Sequence, residues 1–510
     1  MKNMSKTAYL FGVHPLRESI IHQYDKKGFT VVVHDGISAD AIPDTLPQEL
    51  VLLCKDADSD AHAIRFLETL SGRSGASPAP RPLVHLILHG NATFRMLQRT
   101  DFSDSVNRCF EVWPTTQEEM WAEHVIVRYP GISENSRPPL DREPITPSSN
   151  QFIHLVIAGF DEYAARVAVK TAQVAHFPNY DGKARYPLRT RITFLQPDIA
   201  AQRDAFIARF RTLFDHSYYR NIFPSKRSSI LHHPLREGRQ EDFVDVEWEF
   251  VDASLTDSEV MDRLSVWATD PRRQLTLVLS DPDDNTNLDF AFSLPSSIYE
   301  NHIPVWVRQR SNLMAGCISG AQRYSAIFPF GMEDSGYDIQ LPAARLSKLL
   351  HYFYASYYGS GIVPTYFPKE DVERAWLSAG SLKMRLSNAC NVMTMATKMH
   401  SLGHAPADLA TFYAMSQDEV ESLARTEHNR WSVERLLSGT RPCNDEERAA
   451  VLSDIHLKSV FKMERDAHFD LCAYDELGMD EKGNDVRIYD KVLTACIPLI
   501  VESYAKEEAE

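Results

Sequence analysis

The feature that most limits what this chain can fold into is an order of elements that occurs twice. AYLFG (8–12) reads as a short buried strand, and a helix-compatible stretch from Pro15 to Tyr24 follows, with a proline where a first helical turn accepts one. TVVVHD (30–35) reads as a second strand ending in an acid. Strand, glycine turn, helix, strand and acid is the order of a dinucleotide-binding βαβ unit. ELVLLC (49–54), LVHLILH (83–89) and CFEVW (109–113) add further strands. The order returns as HLVIAG (154–159), a helix over 161–177, RITFLQPD (191–198), LTLVLSD (275–281), IPVWVR (303–308) and YSAIFP (324–329).

The copies also match in detail. VLLCKDADSDAHAI (51–64) aligns with LVLSDPDDNTNLDF (277–290), each a strand, an acidic turn and a helix. EVWPTT (111–116) aligns with AIFPFG (326–331). The second copy is longer through an insertion at 199–240. The pattern predicts an α/β protein with two tandem Rossmann-like parallel-sheet domains, 1–128 and 151–335. The Pro-, Ser- and charge-rich segment 129–150 reads as a linker. After Gly331 the spacing turns helical, predicting a helical connector over 336–405 and a mainly helical domain over 406–510. Ser416 with Glu419 gives a capping-box signature, and Gly403 and Gly439 stand where helix ends belong.

With 510 residues the chain is long enough for three or four domains and large cores. A formal net charge of −16 argues against a nucleic-acid binder, which needs a basic footprint. Seven scattered cysteines without a CxxC pair fit a reducing compartment, and no apolar run is long enough for a signal peptide or a membrane span. The expectation is a cytoplasmic protein; if it serves a channel, the pore belongs to a partner chain.

The glycine turns are degenerate. A working G-x-G-x-x-G fingerprint uses its second glycine to let the backbone approach a pyrophosphate. Here the turns read Gly12-Val13-His14 and Gly159-Phe160-Asp161. A carboxylate at 161 repels a diphosphate unless a cation intervenes. Gly12, Gly159 and Asp35, the last placed to meet a ribose, are the weak cofactor-binding candidates, so NAD or another nucleotide is a cofactor that the motifs neither specify nor exclude. The acidic turns Asp56/Asp58/Asp60 and Asp281/Asp283/Asp284 read better as caps and turns than as metal ligands. These halves resemble the nucleotide-binding domains of potassium-transport regulators and the soluble region of the Castor and Pollux channels, carried by Gly159-Phe160 and SDPDDNTNL (280–288). The resemblance implies a regulatory fold.

LARTEHNRWSVERLLSG (423–439) is the least generic stretch. On a helix, Val420, Leu423, Ala424, Trp431 and Leu437 make an apolar stripe, with Glu427 and Glu434 near its middle. Carboxylates on a buried face need partners. Either they pair with arginines such as Arg430 and Arg435, or they line a polar pocket walled by Trp431, suited to a flat ligand. The stretch resembles the ryanodine-receptor repeat domain and its bacterial relatives. That resemblance implies a ligand-recognition module in which Glu427, His428, Asn429, Trp431, Glu434, His468, Tyr474, Asp475 and Asp490 are ligand-binding candidates. The segment between Arg441 and His468 is longer than the family pattern, and Thr440 replaces an aromatic.

No GxxxxGK[ST], HExxH or GxSxG motif is present, so P-loop, zinc-protease and α/β-hydrolase readings lack their signatures. Three readings follow. The chain is a ligand-sensing regulator that binds a small polar or nucleotide-like molecule in its C-terminal domain, is non-enzymatic, and forms homo-oligomers. Otherwise it is an NAD(P)-dependent enzyme using the first half, or an interaction scaffold without ligand.

Overall fold

Two mainly parallel sheets that share a five-strand order sit side by side, and a helical region closes over both. The computed structural model describes every residue except 1–5, 44–45, 74–80, 130–137, 235–241, 312–321, 362–363, 405–412 and 510. The expected boundary at 405–406 and part of the 129–150 segment lie outside the described residues.

In the first half, β1 (Thr7–Phe11), β2 (Thr30–His34), β3 (Glu49–Leu53), β4 (Leu83–Leu88) and β5 (Glu111–Thr116) form a parallel sheet in the order 2-1-3-4-5. The helices α1 (Arg17–Lys26), α2 (Ala57–Arg73), α3 (Asn91–Thr100) and α4 (Asp104–Cys109) connect these strands, and α5 (Gln117–Ile126) follows β5. A five-stranded order of this kind is a doubly wound α/β sheet whose chain reverses beside β1. Central strands buried on both faces explain the continuous apolar runs LVLL and LVHLIL.

The second half repeats this. β6 (Phe152–Ala158), α6 (Glu162–Val174), β7 (Thr190–Leu195), α7 (Ala200–Arg209), α8 (Arg211–His216), β8 (Tyr218–Phe223), β9 (Ser228–His232), β10 (Val246–Val251), α9 (Ser258–Thr269), β11 (Arg273–Leu279), α10 (Asp284–Ser293), α11 (Ser296–Glu300), β12 (Val305–Arg308) and β13 (Ile327–Phe330) follow in sequence. The sheet order is 13-12-11-6-7-10-8-9. Its first five strands reproduce the order of the first sheet, so the aligned pairs β3 with β11 and β5 with β13 occupy equivalent places. The insertion is a sheet extension: β8 pairs with β10 in parallel and with β9 antiparallel. β10, VEWEFV, was not expected; its glutamates interrupt the apolar pattern, and Glu247 and Glu249 are held by Arg191 of the neighbouring strand.

The conserved topology explains the single glycines. Gly12 and Gly159 have φ of +103° and +106°. A Cβ at Gly12 would stand 2.2 Å from the Leu53 carbonyl oxygen, and at Gly159 2.3 Å from that of Ser280. Each glycine lets strand one pass close to the end of strand three. That role needs no cofactor.

Beyond the sheets come α12 (Pro342–Ser360), α13 (Lys369–Ser378), α14 (Leu382–Val392), α15 (Met395–Ser401), α16 (Gln417–Leu437), β14 (Arg441–Pro442), α17 (Asp445–Ser453), α18 (Leu457–Glu464), β15 (Ala467–His468), α19 (Arg487–Ala495) and α20 (Ile497–Ala509). The capping box at Ser416 and Glu419 forms as expected, and Gly403 and Gly439 have positive φ. The stretch 129–150 is less of a tether than its composition suggested. Leu140, Asp141 and Ile145 are buried, and Asp141 pairs with His400 and lies 3.8 Å from Arg128. Among the described residues, no helix is long and apolar enough to cross a membrane.

Gly159→Ala combines a left-handed backbone with a backbone clash. We expect it to cost about 3 kcal/mol or more, read as a fall of several degrees in the thermal transition. The exposed Gly28, with no atom within 4 Å of a built Cβ, should cost clearly less as Gly28→Ala.

Candidate functional site

The sheet edges come first, because ligands of doubly wound sheets usually bind there. In the second half that place is filled from within. Asp161 caps α6 by accepting from the Ala164 N–H at 2.8 Å, and also accepts from the Ser280 hydroxyl at 2.8 Å. Arg308 donates to its other oxygen, and the guanidinium lies 4.3 Å from the centre of the Tyr163 ring. The helix N-terminus therefore already holds an anion, with its countercation in place. The residues do not fit a diphosphate, and Gly159 is corrected from cofactor candidate to packing residue.

In the first half, His14 Nδ1 accepts from the Leu16 N–H at 3.2 Å, so the entry to α1 is closed by its own loop. Burial and the nearby His89 lower the His14 pKa. Asp35, the ribose candidate, is 80% exposed and paired with Arg17 at 2.7 Å. Gly12 is likewise committed to packing. The acidic turns are caps: Asp60 accepts from the His89 and Gly90 N–H groups, and Asp283 caps α10 through Thr286. No cluster of three potential metal ligands exists among the described residues.

The C-terminal candidates divide into two environments. Glu427, 1% exposed, is enclosed. It receives Asn391 Nδ2 at 2.7 Å from α14, Lys398 Nζ at 2.5 Å from α15, and the Arg430 guanidinium at 2.8–3.1 Å from its own helix. Burial alone would raise its pKa; Arg430 and Lys398 overcome that and hold it at about 2. Burial and Arg430 pull the Lys398 ammonium down while Glu427 holds it up, so the guanidinium is the firmer partner. Glu434 accepts from Arg430 at 2.8 Å, lies 3.3 Å from Arg435, and meets the Ser387 hydroxyl at 3.3 Å. The acids thus neutralise neighbouring cations. Of the two readings the sequence left open for these acids, pairing with Arg430 and Arg435 describes them and the acid-lined pocket does not: on a face buried this deeply, a carboxylate needs such partners.

His428 donates through Nε2 to the Cys472 carbonyl at 2.9 Å, and its Nδ1 lies 3.3 Å from Asp490. Burial works against the imidazolium, but the Asp490 carboxylate outweighs it and raises the pKa. Asp475 lies on the surface between Arg425 at 2.7 Å and Lys183 at 3.2 Å. It joins the module to the second sheet domain and does not meet the other candidates. Tyr474 is buried against His428, and its hydroxyl has no hydrogen-bond partner among the described residues. The Asn429 side chain makes no hydrogen bond among the described residues.

Trp431 remains half-buried, with an opposite electrostatic setting. His468 meets its ring edge-on at 4.9 Å, and the Arg435 guanidinium lies 5.8 Å from the ring centre. His468 Nδ1 accepts from the Asp470 N–H at 3.2 Å, which leaves Nε2–H as a donor. Burial, then Lys462, Arg435 and Lys458, push the His468 pKa well below its usual value, so the ring is neutral at physiological pH. Lys458 pairs with Asp470 at 2.7 Å. Lys462 is exposed on α18 and has no acceptor among the described residues; its protein surroundings, then Arg435 and Lys383, pull its ammonium below the usual lysine range. The indole N–H of Trp431 also has no acceptor among the described residues. The face therefore offers an aromatic wall, three unused donors and a surplus of positive charge.

Lys458 and Lys462 lie on α18, inside the segment that is longer than the family pattern. Sequence reasoning missed them because no local spacing ties them to Trp431. Arg435, four residues after Trp431 on one helix, was readable as a neighbour.

Comparisons with known proteins add little. No protein family matches the chain, and no curated protein does. A solved structure of a GsuK point mutant is similar at 9% identity and a TM-score of 0.28, covering 64% of this chain and 66% of that one. The chain thus spans just under two-thirds of that protein, and a likeness this weak fixes neither architecture nor role.

Removing one partner of the Glu427 cluster leaves buried charge uncompensated. Glu427→Gln should cost roughly 3–5 kcal/mol. The pH dependence has a definite sign. The carboxyl is depressed in the folded state, so its contribution is present above the unfolded carboxylate value of about 4.3 and is lost as pH falls from there through about 2. Acid unfolding followed by circular dichroism should show that loss in the native chain and not in Glu427→Gln.

Proposed function

We propose that the chain is a ligand-binding regulatory protein whose C-terminal module takes a small, flat, anionic molecule of nucleotide type on the Trp431–His468 face. One observation carries the reading. Cations and unused donors gather beside a half-buried indole, with the exposed Lys462 paired to no carboxylate of the described residues and the His468 pKa lowered by burial and then by the cations around it. A negatively charged planar ligand would stack on the ring, accept from the indole and imidazole N–H groups, and relieve the repulsion among Lys462, Arg435 and Lys383. The net charge of the whole chain is negative, so this positive patch is a local construction.

In this reading the sheet domains are a frame that senses and transmits the bound state. Asp475, shared by Arg425 and Lys183, is one direct tie between module and frame. The resemblance of 423–439 to ryanodine-receptor repeats agrees with a recognition module, and homo-oligomers with an effector or channel on another chain belong to the same proposal. The enzymatic alternative, which uses the first half, is disfavoured by Gly12 serving strand packing, by His14 bonded into its own loop and by an Asp35 engaged at the surface.

The test is a thermal-shift titration of the full chain with ADP, NAD and AMP. Stabilisation grows with ligand concentration over its dissociation constant; at a hundredfold excess over that constant it reaches about 2.7 kcal/mol. We expect at least one of these to stabilise the native chain, and Lys462→Glu and Trp431→Ala to abolish the shift. A shift that survives both substitutions and disappears in Asp35→Ala would instead support nucleotide binding in the first half. No shift with any of the three would leave the scaffold reading.

A further inference from the structure

A sizeable cavity lies away from the Trp431 face, where both sheet domains, the 138–139 segment and the connector helices meet. Its volume is about 380 Å³, within the range of drug-sized ligand sites. α5 contributes Glu119 and Glu123, α6 contributes Lys170 and Gln173, and α14 with its C-terminal cap contributes Ala389 and Met393. Trp113, Tyr129 and Tyr337 supply aromatic wall.

The polar groups on this wall are unevenly satisfied. Lys170 reaches Glu119 at 2.5 Å, and Arg166 supports the same carboxylate at 3.6 Å. Glu123 accepts the Tyr129 hydroxyl at 2.6 Å through one oxygen, and the other oxygen has no donor among the described residues. Gln173 Oε1 is buried and also lacks a donor. The oxygens without a donor on this wall, one on Glu123 and one on Gln173, are acceptors; the cations that also line it, Lys170 and Arg128, are engaged with Glu119 and Asp141.

We infer that this cavity is a second ligand site, and that it takes a flat apolar molecule carrying a protonated amine directed at Glu123 and Gln173. The inference does not depend on the anion face, whose charge preference is opposite. It also suggests how the two sites communicate. α14 turns Leu386, Ala389, Cys390 and Met393 towards the cavity. From the same helix Ser387 meets Glu434 and Arg435, and Asn391 donates to Glu427. A ligand that braces α14 against α5 and α6 therefore braces the helix that bears Trp431. In the absence of ligand, burial raises the Glu123 carboxyl above its usual range, with Lys170 and Tyr129 opposing.

The probes are tryptamine and indole-3-acetate, equal in ring system and opposite in charge, titrated to millimolar concentration into the full chain with the thermal midpoint as readout. Ala389→Trp fills the cavity with an indole of its own, and Glu123→Gln keeps the shape while removing the charge. Only the shift that Ala389→Trp eliminates is assigned to the cavity, and Lys462→Glu separates any binding at the anion face. We expect tryptamine to raise the midpoint of the native chain by a few degrees, Ala389→Trp to remove that rise, and Glu123→Gln to weaken tryptamine at least tenfold. Absence of a tryptamine shift, its persistence in Ala389→Trp, or an equal cavity-dependent shift with indole-3-acetate would each overturn the inference. If Ala389→Trp does not fold, the response of Glu123→Gln decides: unchanged tryptamine affinity overturns it.

Discussion

A carboxylate buried in the middle of a helix dictates much of how the C-terminal half is put together. Glu427 cannot be charged there without cations, and no single neighbour supplies enough. Arg430 comes from its own helix, Lys398 from α15 and Asn391 from α14. Three elements are thereby fixed in mutual orientation by one side chain. A cluster of this kind contributes little stability over a well-packed apolar core, yet it penalises any arrangement that leaves a charge unmatched. That penalty sets the rotation of α16, and the rotation decides which residues meet the sheets and which meet α18 and His468.

The consequence is a helix with two electrostatic characters. One side carries acids sealed by cations; another presents an indole among cations with too few acids. α14 stands between this helix and the central cavity, holding Glu427 and Glu434 through Asn391 and Ser387 while lining the cavity through Ala389 and Met393. Two sites of opposite charge preference that share a helix have a physical means of coupling. If each ligand favours the same placement of α14, linkage requires each to improve the other's affinity by the same factor.

Sequence reasoning recovered the duplication because strand order is written locally. Short apolar runs, acidic turns and single glycines recur in register, and the two five-strand orders agree. It also located the Ser416 capping box and the helix it opens. It missed β10, where glutamates break the apolar pattern and are balanced only by Arg191 from another strand. The site was half legible. Trp431, His428 and His468 do come together, but the cations around them were not foreseen. Glu427 and Glu434 were visible on the helix, whereas Lys398, Lys458 and Lys462 arrive from elements whose packing no spacing encodes. The cavity was illegible for the same reason, since its walls come from separated stretches spread between Phe94 and Met393.

The sign of the field at Trp431 is the point on which the functional account turns, and it can be measured directly. Iodide and caesium quench an accessible indole according to the charge around it. The chain has seven tryptophans, so the contribution of Trp431 is the difference between the native protein and Trp431→Phe. A positive face predicts that this component is quenched several-fold more strongly by iodide than by caesium, with the contrast reduced in Lys462→Glu. Equal quenching, or stronger quenching by caesium, would mean that acids dominate beside the ring and would contradict the account.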